Sequence, residues 1–326
     1  MADPGPRLIA GFDAGQTHTS CRLAWLQADC SWQVLSNGQG SGVSHLAAAD
    51  GVARFQAALR SSLEDAWTAA RRSGLAPETA HTLTAAAIGA SGIEAGSAVQ
   101  EQGRRLAATA LELPAAAVQV LGDERTALAG AFSDGAGILV ISGTGCIAVG
   151  QDRKGRLHRC GGWGWLLDGA GSAMDIGRDG LAISVQMADG RLPETALRTT
   201  LWQALAVQDP QQLKALVVEP GFGPAGFARL APLLDQLAAD GDLHAEALIQ
   251  RSAEALALMV QAVAEQLELG TPSVCAVGGA VQHLQRLRLG FQQALQQHCP
   301  GAQLVPPAAD ACGGALSLAA QTALRC

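Results

Sequence analysis

The chain has 326 residues, which is more than one hydrophobic core usually supports, so two domains are expected. Hydrophobic residues make up 48% of the chain and charged residues 16%, so a large buried core is readily built. The formal net charge is −7 and no basic stripe is present, which argues against nucleic acid as a partner.

Targeting and cysteine usage point to the cytoplasm. No stretch of about 18 uncharged and predominantly apolar residues occurs, so we expect no membrane partner. Residues 1–7 lack the basic end and apolar run of a signal peptide. The 8 cysteines form no C-x-x-C pair, and an even count suggests a disulfide framework only in short secreted chains. The sequence therefore predicts a cytoplasmic protein with reduced thiols.

The first half of the chain alternates predicted strands with helices. Strands are predicted at 8–12, 20–26 and 32–35, and residues 36–44 are turn-rich. Apolar residues at spacings of three and four predict a helix over 48–73. A strand at 83–88, a helix at 95–111, a strand at 117–121 and a helix at 124–133 follow.

The second half repeats this plan. Strands at 137–141 and 146–149 are joined by a turn of small residues, and a further pair of strands surrounds 154–155. Residues 172–268 are mainly helical, with a long amphipathic helix at 244–268. A strand at 274–277 precedes helices at 284–296 and 311–324. This layout suggests an internal duplication.

Two hairpin turns could bind phosphate. The first is Asp13-Ala-Gly-Gln-Thr-His-Thr19 and the second is Ile141-Ser-Gly-Thr-Gly145. Backbone N–H groups in such turns can point at phosphate oxygens, and an acid at a strand end can hold a metal ion. Either turn alone is also typical of an ordinary hairpin, so the pair is the stronger evidence.

Other residues have both a chemical and a structural interpretation. Asp123 follows an apolar strand, where a carboxylate can serve as general base, but it could equally cap the next helix. The double glycine at Gly278-Gly279 would let a flat adenosine approach, or would simply form a tight turn. Trp163 lies between glycines and suggests a shaped wall beside a ligand. Ser172 could cap the helix that follows.

Taken in order, these motifs resemble the N-acetylglucosamine kinase group of the BadF/BadG/BcrA/BcrD ATPase family, within the actin, sugar-kinase and heat-shock-chaperone superfamily. The resemblance covers nearly the whole chain. It rests on the first hairpin, Gly89-Ala-Ser-Gly92, Asp123-Glu-Arg-Thr-Ala127, Ile141-Ser-Gly-Thr-Gly-Cys146, Gly161-Gly-Trp-Gly164 with Gly171-Ser-Ala173, Gly278-Gly279, and Asp310 with Gly314-Ala315.

The resemblance implies an α/β fold of two actin-like (ribonuclease H-like) domains, with mixed sheets flanked by helices and a cleft that closes on ATP and sugar. Residues 1–117 would form the N-terminal domain, with the sugar side and the first phosphate hairpin. Residues 118–326 would form the C-terminal domain, with the second phosphate hairpin and the adenosine site. The last helix could pack back on the N-terminal domain.

The resemblance also assigns site residues by motif match. Asp13 would serve Mg²⁺, and Asp123 would take the proton from the sugar hydroxyl that attacks the γ-phosphate. The residues expected to contact ATP are Gly15, Gln16, Thr17, His18, Gly143, Thr144, Gly145, Gly278 and Gly279. The residues expected to contact the sugar are His45, Ser91, Gly92, Asp123, Gly161, Trp163 and Asp168.

Several positions depart from the family pattern. Where the family has G-D-E before G-S-A, this chain has Asp168-Gly169-Ala170, so an acidic pair is missing and Asp168 could replace part of it. Where the family often has G-P-S-N, this chain has Gly42-Val-Ser-His45. The first hairpin carries Gln16 where glycine is common and His18 where a base is common. The changes at residue 45 and at residues 168–170 fall on the sugar side. The changes in the first hairpin should leave ATP binding intact, because it uses backbone groups.

The sequence therefore predicts an ATP-dependent kinase of an amino sugar of the N-acetylglucosamine or glucosamine type. One alternative is a non-catalytic sugar or nucleotide sensor, which the missing acidic pair would fit. A second alternative is an ATPase that activates a radical dehydratase through a [4Fe–4S] cluster, for which Cys146, in the second hairpin turn, and Cys160 are the candidate pair. The resemblance allows a homodimer, but no interface can be recognised in the sequence.

Overall fold

A computed structural model describes residues 7–29, 31–75, 82–132 and 135–325. The chain divides into two compact units: unit 1 is Met1–Gly135 with Pro307–Cys326, and unit 2 is Ala136–Pro306. This division differs from the boundary expected after residue 117. The reason is that the strand beginning at Val118 pairs with the first sheet and brings the following helix with it.

Unit 1 is built on a five-stranded sheet with the order β3-β2-β1-β4-β5. β1, β2 and β3 form an antiparallel meander, whereas β4 and β5 run parallel to β1. The strands are β1 (Arg7–Ala14), β2 (His18–Leu26), β3 (Trp32–Ser41), β4 (Leu83–Ala90) and β5 (Val118–Gly122).

Helices cover both faces of this sheet because its strands alternate their buried side chains between the two sides. Ala10 and Phe12 contribute to the core under α1 and α2, whereas Ile9 contributes to the core under the last helix, α12. The helices of unit 1 are α1 (Gly51–Arg72), α2 (Ala98–Leu111), α3 (Asp123–Ala131) and α12 (Ala311–Arg325), with a short 3₁₀ turn at Ala115–Ala117.

The third strand is longer than expected. The sequence predicts a strand that ends at residue 35, but β3 continues to Ser41. Its polar residues are satisfied by α1: the Ser36 hydroxyl donates to the backbone oxygen of Ala66 (2.6 Å), and the Gln39 N–H donates to Asp65 Oδ2 (2.9 Å). The apolar alternation that marks a strand is therefore missing from a segment that is nevertheless fully paired with β2.

Unit 2 repeats the topology of unit 1. Its sheet has the order β10-β9-β6-β7-β8, in which β6, β7 and β8 form an antiparallel meander and β9 and β10 run parallel to β6. This agreement supports the duplication suggested by the sequence. The strands are β6 (Gly137–Ser142), β7 (Cys146–Gln151), β8 (Leu157–Gly161), β9 (Ser273–Val277) and β10 (Gln303–Leu304).

The helical part of unit 2 packs around the long helix α9. Leu256 and Val260 of this helix are fully buried, in one core with Ile138 and Val140 of β6. The helices are α4 (Ala173–Ala188), α5 (Ala196–Ala204), α6 (Pro210–Val217), α7 (Gly223–Ala228), α8 (Ala231–Ala239), α9 (Leu243–Gln266), α10 (Gly279–His283) and α11 (Gln285–His298). Among the helices described, none is long and apolar enough to cross a membrane.

Candidate active site

The carboxyl ends of three parallel strands meet at one edge of the first sheet, called here the carboxyl edge of unit 1. Asp13 lies opposite Gly89 in the β1–β4 register, and Ala90 lies opposite Gly122 in the β4–β5 register. Asp13 is the next-to-last residue of β1, and Asp123 directly follows β5, so both residues lie at this edge. Ligands of open α/β sheets bind at such edges.

Two carboxylates interact electrostatically at this edge. Burial raises the pKa of Asp13, and the negative charge of Asp123 raises it further, while His18 lowers it. Two acids close enough to influence each other favour a cation or a proton between them. In the part of the chain that the structure describes, no group of three His, Cys, Asp or Glu side chains forms a ready metal site.

Asp123 is the first residue of α3 and does not cap it. The N-cap is Gly122, which makes no side-chain bond, and Asp123 Oδ1 accepts from the backbone N–H of Glu124 (3.0 Å). The capping role left open by the sequence is thus taken by its neighbour. The Asp123 side chain is only partly buried, and a carboxylate at the start of a helix is favoured there by the helix dipole.

The turn between β1 and β2 contains Gly15, Gln16 and Thr17, and β2 begins at His18. The Gly15 N–H donates to the His18 carbonyl (3.1 Å), which closes the turn. Gln16, Thr17 and His18 are exposed. The four residues predicted to contact ATP thus lie in one accessible turn that begins two residues after Asp13.

His45, Ser91 and Gly92 lie together at the carboxyl edge of unit 1. The Ser91 N–H donates to the Ala14 carbonyl (3.2 Å), so the segment after β4 continues beside the end of β1. Gly92 has φ +80°, and a Cβ built on it would lie 3.2 Å from Cδ2 of His45. The structure thus brings these three residues together, and their contact with a sugar stays a prediction. Nothing in the sequence showed that the imidazole lies against Gly92.

Arg22 and Asp310 form an ion pair near Asp13 that the sequence did not predict. Arg22 donates to both carboxylate oxygens of Asp310 at 2.7 Å each, and its Nε donates to Asn37 (2.8 Å). The Arg22 hydrogen bonds lower the pKa of Asp310. The sequence signal was an arginine inside an apolar strand, which indicates a partner for its charge.

In unit 2, the turn between β6 and β7 contains Gly143, Thr144 and Gly145. Its flanking residues, Ser142 and Cys146, are paired across the hairpin, and the Gly143 N–H donates to the Gly145 carbonyl (2.9 Å). Thr144 and Gly145 are exposed. This turn is the counterpart of the first hairpin in the repeated topology.

The double glycine lies directly beside this second hairpin. β9 pairs with β6 so that Val277 is opposite Ile141, which brings Gly278 next to Ser142. Gly278 has φ +102°, and a Cβ built on it would lie 2.4 Å from the backbone oxygen of Ser142. Only glycine fits this backbone and this approach, and Gly279 then begins α10.

Four hydrogen bonds join the second hairpin to the segment that begins α4. The Ser142 hydroxyl donates to the Gly171 carbonyl (2.7 Å), and the Cys146 thiol donates to the Ala170 carbonyl (3.2 Å). Two N–H groups at the start of α4 donate to the carbonyls of Gly143 (2.9 Å) and Thr144 (3.3 Å).

The helix that follows this segment begins as expected. Ser172 is the N-cap of α4, since its Oγ accepts from the Asp175 N–H (3.1 Å). With the turn carbonyls bound to this helix start, the remaining turn N–H groups stay available to a ligand.

Gly161 ends β8, and Trp163 and Asp168 belong to the segment between β8 and α4. A Cβ built on Gly161 would lie 3.4 Å from Asp168 Oδ2, so these two residues are adjacent. The Trp163 ring is 61% exposed and stacks on the guanidinium of Arg159, 4.6 Å from the ring centroid. The negative charge of Asp168 helps to raise the pKa of the Cys146 thiol, which places the carboxylate near the second hairpin.

The buried thiols near the two hairpins should be unreactive. Burial raises the pKa of Cys146 and of Cys312 to about 12, so both stay protonated at neutral pH, and thiolates are the reactive form. We expect iodoacetamide at pH 8 to leave both unmodified in the folded protein and to modify both in denaturant, as read by peptide mass spectrometry. Cys299, which is partly exposed, is the control and should react before either of these two buried cysteines. Fast modification of Cys146 in the folded protein would contradict its burial under the turn.

Known proteins resemble this chain over different lengths. An N-acetylmuramic acid/N-acetylglucosamine kinase from Clostridium acetobutylicum is 29% identical over 202 residues, 61% of this chain and 66% of that protein. An N-acetyl-D-glucosamine kinase from Dictyostelium discoideum is 29% identical over 187 residues, 56% of this chain and 59% of that protein. The chain thus spans less than two thirds of the length of these curated relatives.

A solved structure from Chromobacterium violaceum, provisionally named an N-acetylglucosamine kinase, matches with a TM-score of 0.73 and 28% identity. The match covers 97% of this chain and 100% of that chain. A model of the BadF/BadG/BcrA/BcrD ATPase family matches residues 10–319. Since that match includes both sheets and both hairpins, the protein belongs to the BadF/BadG/BcrA/BcrD ATPase family.

Proposed function

We propose that the protein transfers the γ-phosphoryl group of ATP to a hydroxyl of an amino sugar of the N-acetylglucosamine or glucosamine type. The observation that carries this proposal is the carboxyl edge of unit 1. Asp13 lies near the end of β1, which leads into a phosphate-type turn, and Asp123 lies beside it after the end of β5. The similarity to proteins named as N-acetylglucosamine kinases supports the choice of acceptor.

The acidic pair at this edge fits a magnesium ion. Mg²⁺ is usually held by one or two carboxylates together with substrate phosphates and water, rather than by a complete cage of side chains. The repulsion that raises the pKa of Asp13 beside Asp123 would be relieved by a divalent cation. Asp13 is the residue that would hold the ion, and bound Mg²⁺ would neutralise charge on the transferring phosphoryl group.

In the proposed reaction, Asp123 accepts the proton of the attacking sugar hydroxyl. The exposed turns Gly15–His18 and Gly143–Gly145 offer backbone N–H groups and threonine hydroxyls to phosphate oxygens. Gly278 and Gly279 present a surface without side chains to the adenosine. Most of the rate enhancement would come from orientation and charge stabilisation, since phosphoryl transfer needs little covalent chemistry from the protein.

The first test is a coupled assay of ADP release with Mg-ATP and a panel of acceptors. The panel contains N-acetylglucosamine, glucosamine, N-acetylmannosamine, N-acetylmuramate, glucose and a sample without sugar. We expect one amino sugar to raise ADP release well above the sugar-free rate. Sugar binding without turnover would favour the sensor, and ATP hydrolysis unaffected by every sugar would favour the activator class.

Asp168 provides a further prediction for the same site. The family's acidic pair is absent, and Asp168 is the carboxylate beside Gly161 and near the second hairpin. If it replaces part of that pair, Asp168→Ala should raise the KM for the sugar about tenfold, since a hydrogen bond to a charged group contributes about 1.5–3 kcal/mol. The KM for ATP should change little. A sugar KM equal to that of the unmodified protein would show that Asp168 does not contact the sugar.

A further inference from the structure

The imidazole of His45 offers a single hydrogen-bond donor at the carboxyl edge of unit 1. The Ala47 N–H donates to Nδ1 of His45 (3.4 Å), so Nδ1 is the acceptor nitrogen of the ring. In the neutral ring the other nitrogen, Nε2, then carries the hydrogen. Among the described residues, no hydrogen-bond partner of Nε2 is found, and His45 is exposed.

The backbone around His45 holds the ring in this position. The His45 carbonyl accepts from the Ala48 N–H (2.8 Å), which forms a turn directly after the residue. On the other side, the ring edge that includes Cδ2 and Nε2 faces Gly92, at 3.2 and 3.6 Å from a Cβ built there. Because Gly92 has no side chain, the ring can lie this close to the end of β4 while His45 as a whole remains exposed.

The two carboxylates at this edge and the His45 imidazole favour different substituents on the nitrogen of an amino sugar. Asp13 and Asp123 are carboxylates, which accept hydrogen bonds and attract a positive charge. They would therefore favour the ammonium group of glucosamine. The Nε2–H of His45 instead favours an acetamido substituent, because it can donate to the carbonyl oxygen of that group. An ammonium group offers only donors.

We propose that His45 is the residue by which the site distinguishes an N-acylated amino sugar from the free amine, through a hydrogen bond from Nε2 to the acyl oxygen. This inference rests on the proposed kinase function. It concerns the departure from the family pattern at residue 45, where an amide, which both donates and accepts, is replaced by a donor. His45 acts here as a specificity-determining residue and takes no part in phosphoryl transfer.

The test compares kcat and KM for N-acetylglucosamine and glucosamine, at saturating Mg-ATP, in the full chain and in His45 variants. His45→Ala should lower kcat/KM for N-acetylglucosamine by about 3- to 10-fold, mostly through KM, as expected for a neutral hydrogen bond. His45→Gln keeps a donor and should lower kcat/KM for N-acetylglucosamine by less than His45→Ala does. His45→Glu offers only acceptors and should shift the ratio of the two kcat/KM values toward glucosamine by more than His45→Ala does.

The controls separate specificity from folding and from the function itself. His298→Ala, at the end of α11 in unit 2, should leave the ratio unchanged. Calorimetric binding of each sugar without nucleotide should follow the same order as KM. A preference of the unmodified protein for glucosamine, or a ratio that His45→Glu does not move, would overturn the assignment of His45. If neither sugar is phosphorylated, the proposed function itself fails, and this inference fails with it.

Discussion

Asp123→Asn is expected to lower kcat by roughly 10² to 10⁴ while leaving the fold and sugar binding intact. The asparagine has nearly the same shape, but its amide cannot take a proton from a hydroxyl. Because Gly122 and not Asp123 caps α3, the substitution should not loosen the start of the helix. The comparison requires kcat from ADP release, the dissociation constant for the sugar by calorimetry, and a thermal melt of both proteins.

Glu124→Gln is the matched control for this experiment. It removes one negative charge from the same first turn of α3 and so reproduces the loss of a favourable helix-dipole interaction, which is worth about 0.3–1 kcal/mol. We expect its kcat to stay within about threefold of the unmodified protein. If Asp123→Asn keeps near-normal turnover, Asp123 serves only the helix start, and another group must act as base. Equal losses in the two variants would indicate a general effect of charge at this helix.

Gly278→Ala should have the largest effect on nucleotide binding. Gly278 has φ +102°, and a side chain there costs about 1–3 kcal/mol in backbone strain. Its Cβ would also lie 2.4 Å from the Ser142 carbonyl oxygen, so one of the two strands must move, at a further cost of about 1–3 kcal/mol. Ser142 directly precedes the turn of the second hairpin, so this movement would displace the turn proposed to offer N–H groups to phosphate.

We expect Gly278→Ala to lower the Tm by at least about 5 °C and to raise the KM for ATP at least about tenfold. Gly270→Ala is the control, because a Cβ built on Gly270 meets no atom within 4 Å and the residue has no positive φ. The Tm and the KM of that variant should stay close to those of the unmodified protein. An unchanged ATP KM in Gly278→Ala, despite a lower Tm, would mean that the double glycine has only a structural role.

The long, strongly periodic segments could be predicted from the sequence alone. The helix expected at 48–73 is Gly51–Arg72, and the one expected at 311–324 is Ala311–Arg325. Both have apolar faces that repeat with helical spacing, which local sequence records directly. By contrast, the sequence predicted β3 only as far as residue 35. Beyond that point its polar groups bond to α1, so the alternation of apolar residues that marks a strand is missing.

The candidate site also has some features that the sequence could predict and others that it could not. Turn chemistry is local, so the sequence could locate both hairpins and the double glycine. The sequence could not show that Gly278 approaches Ser142, because their separation in the chain is large and only the pairing of β9 with β6 brings them together. The Arg22–Asp310 pair was missed for the same reason, since the two residues come from opposite ends of the chain and meet only when α12 packs on the first sheet.

The sequence by itself determined the two-part α/β plan, the order of the motifs and the residue types available for phosphate and sugar chemistry. These properties follow from composition, periodicity and turn residues, all of which act over a few neighbouring positions. Only the tertiary structure decided that the chain returns to unit 1 at Pro307, that Asp123 follows a glycine cap, and that the exposed His45 rests against Gly92. Such contacts depend on strand order and helix packing, which bring together residues that no local pattern connects.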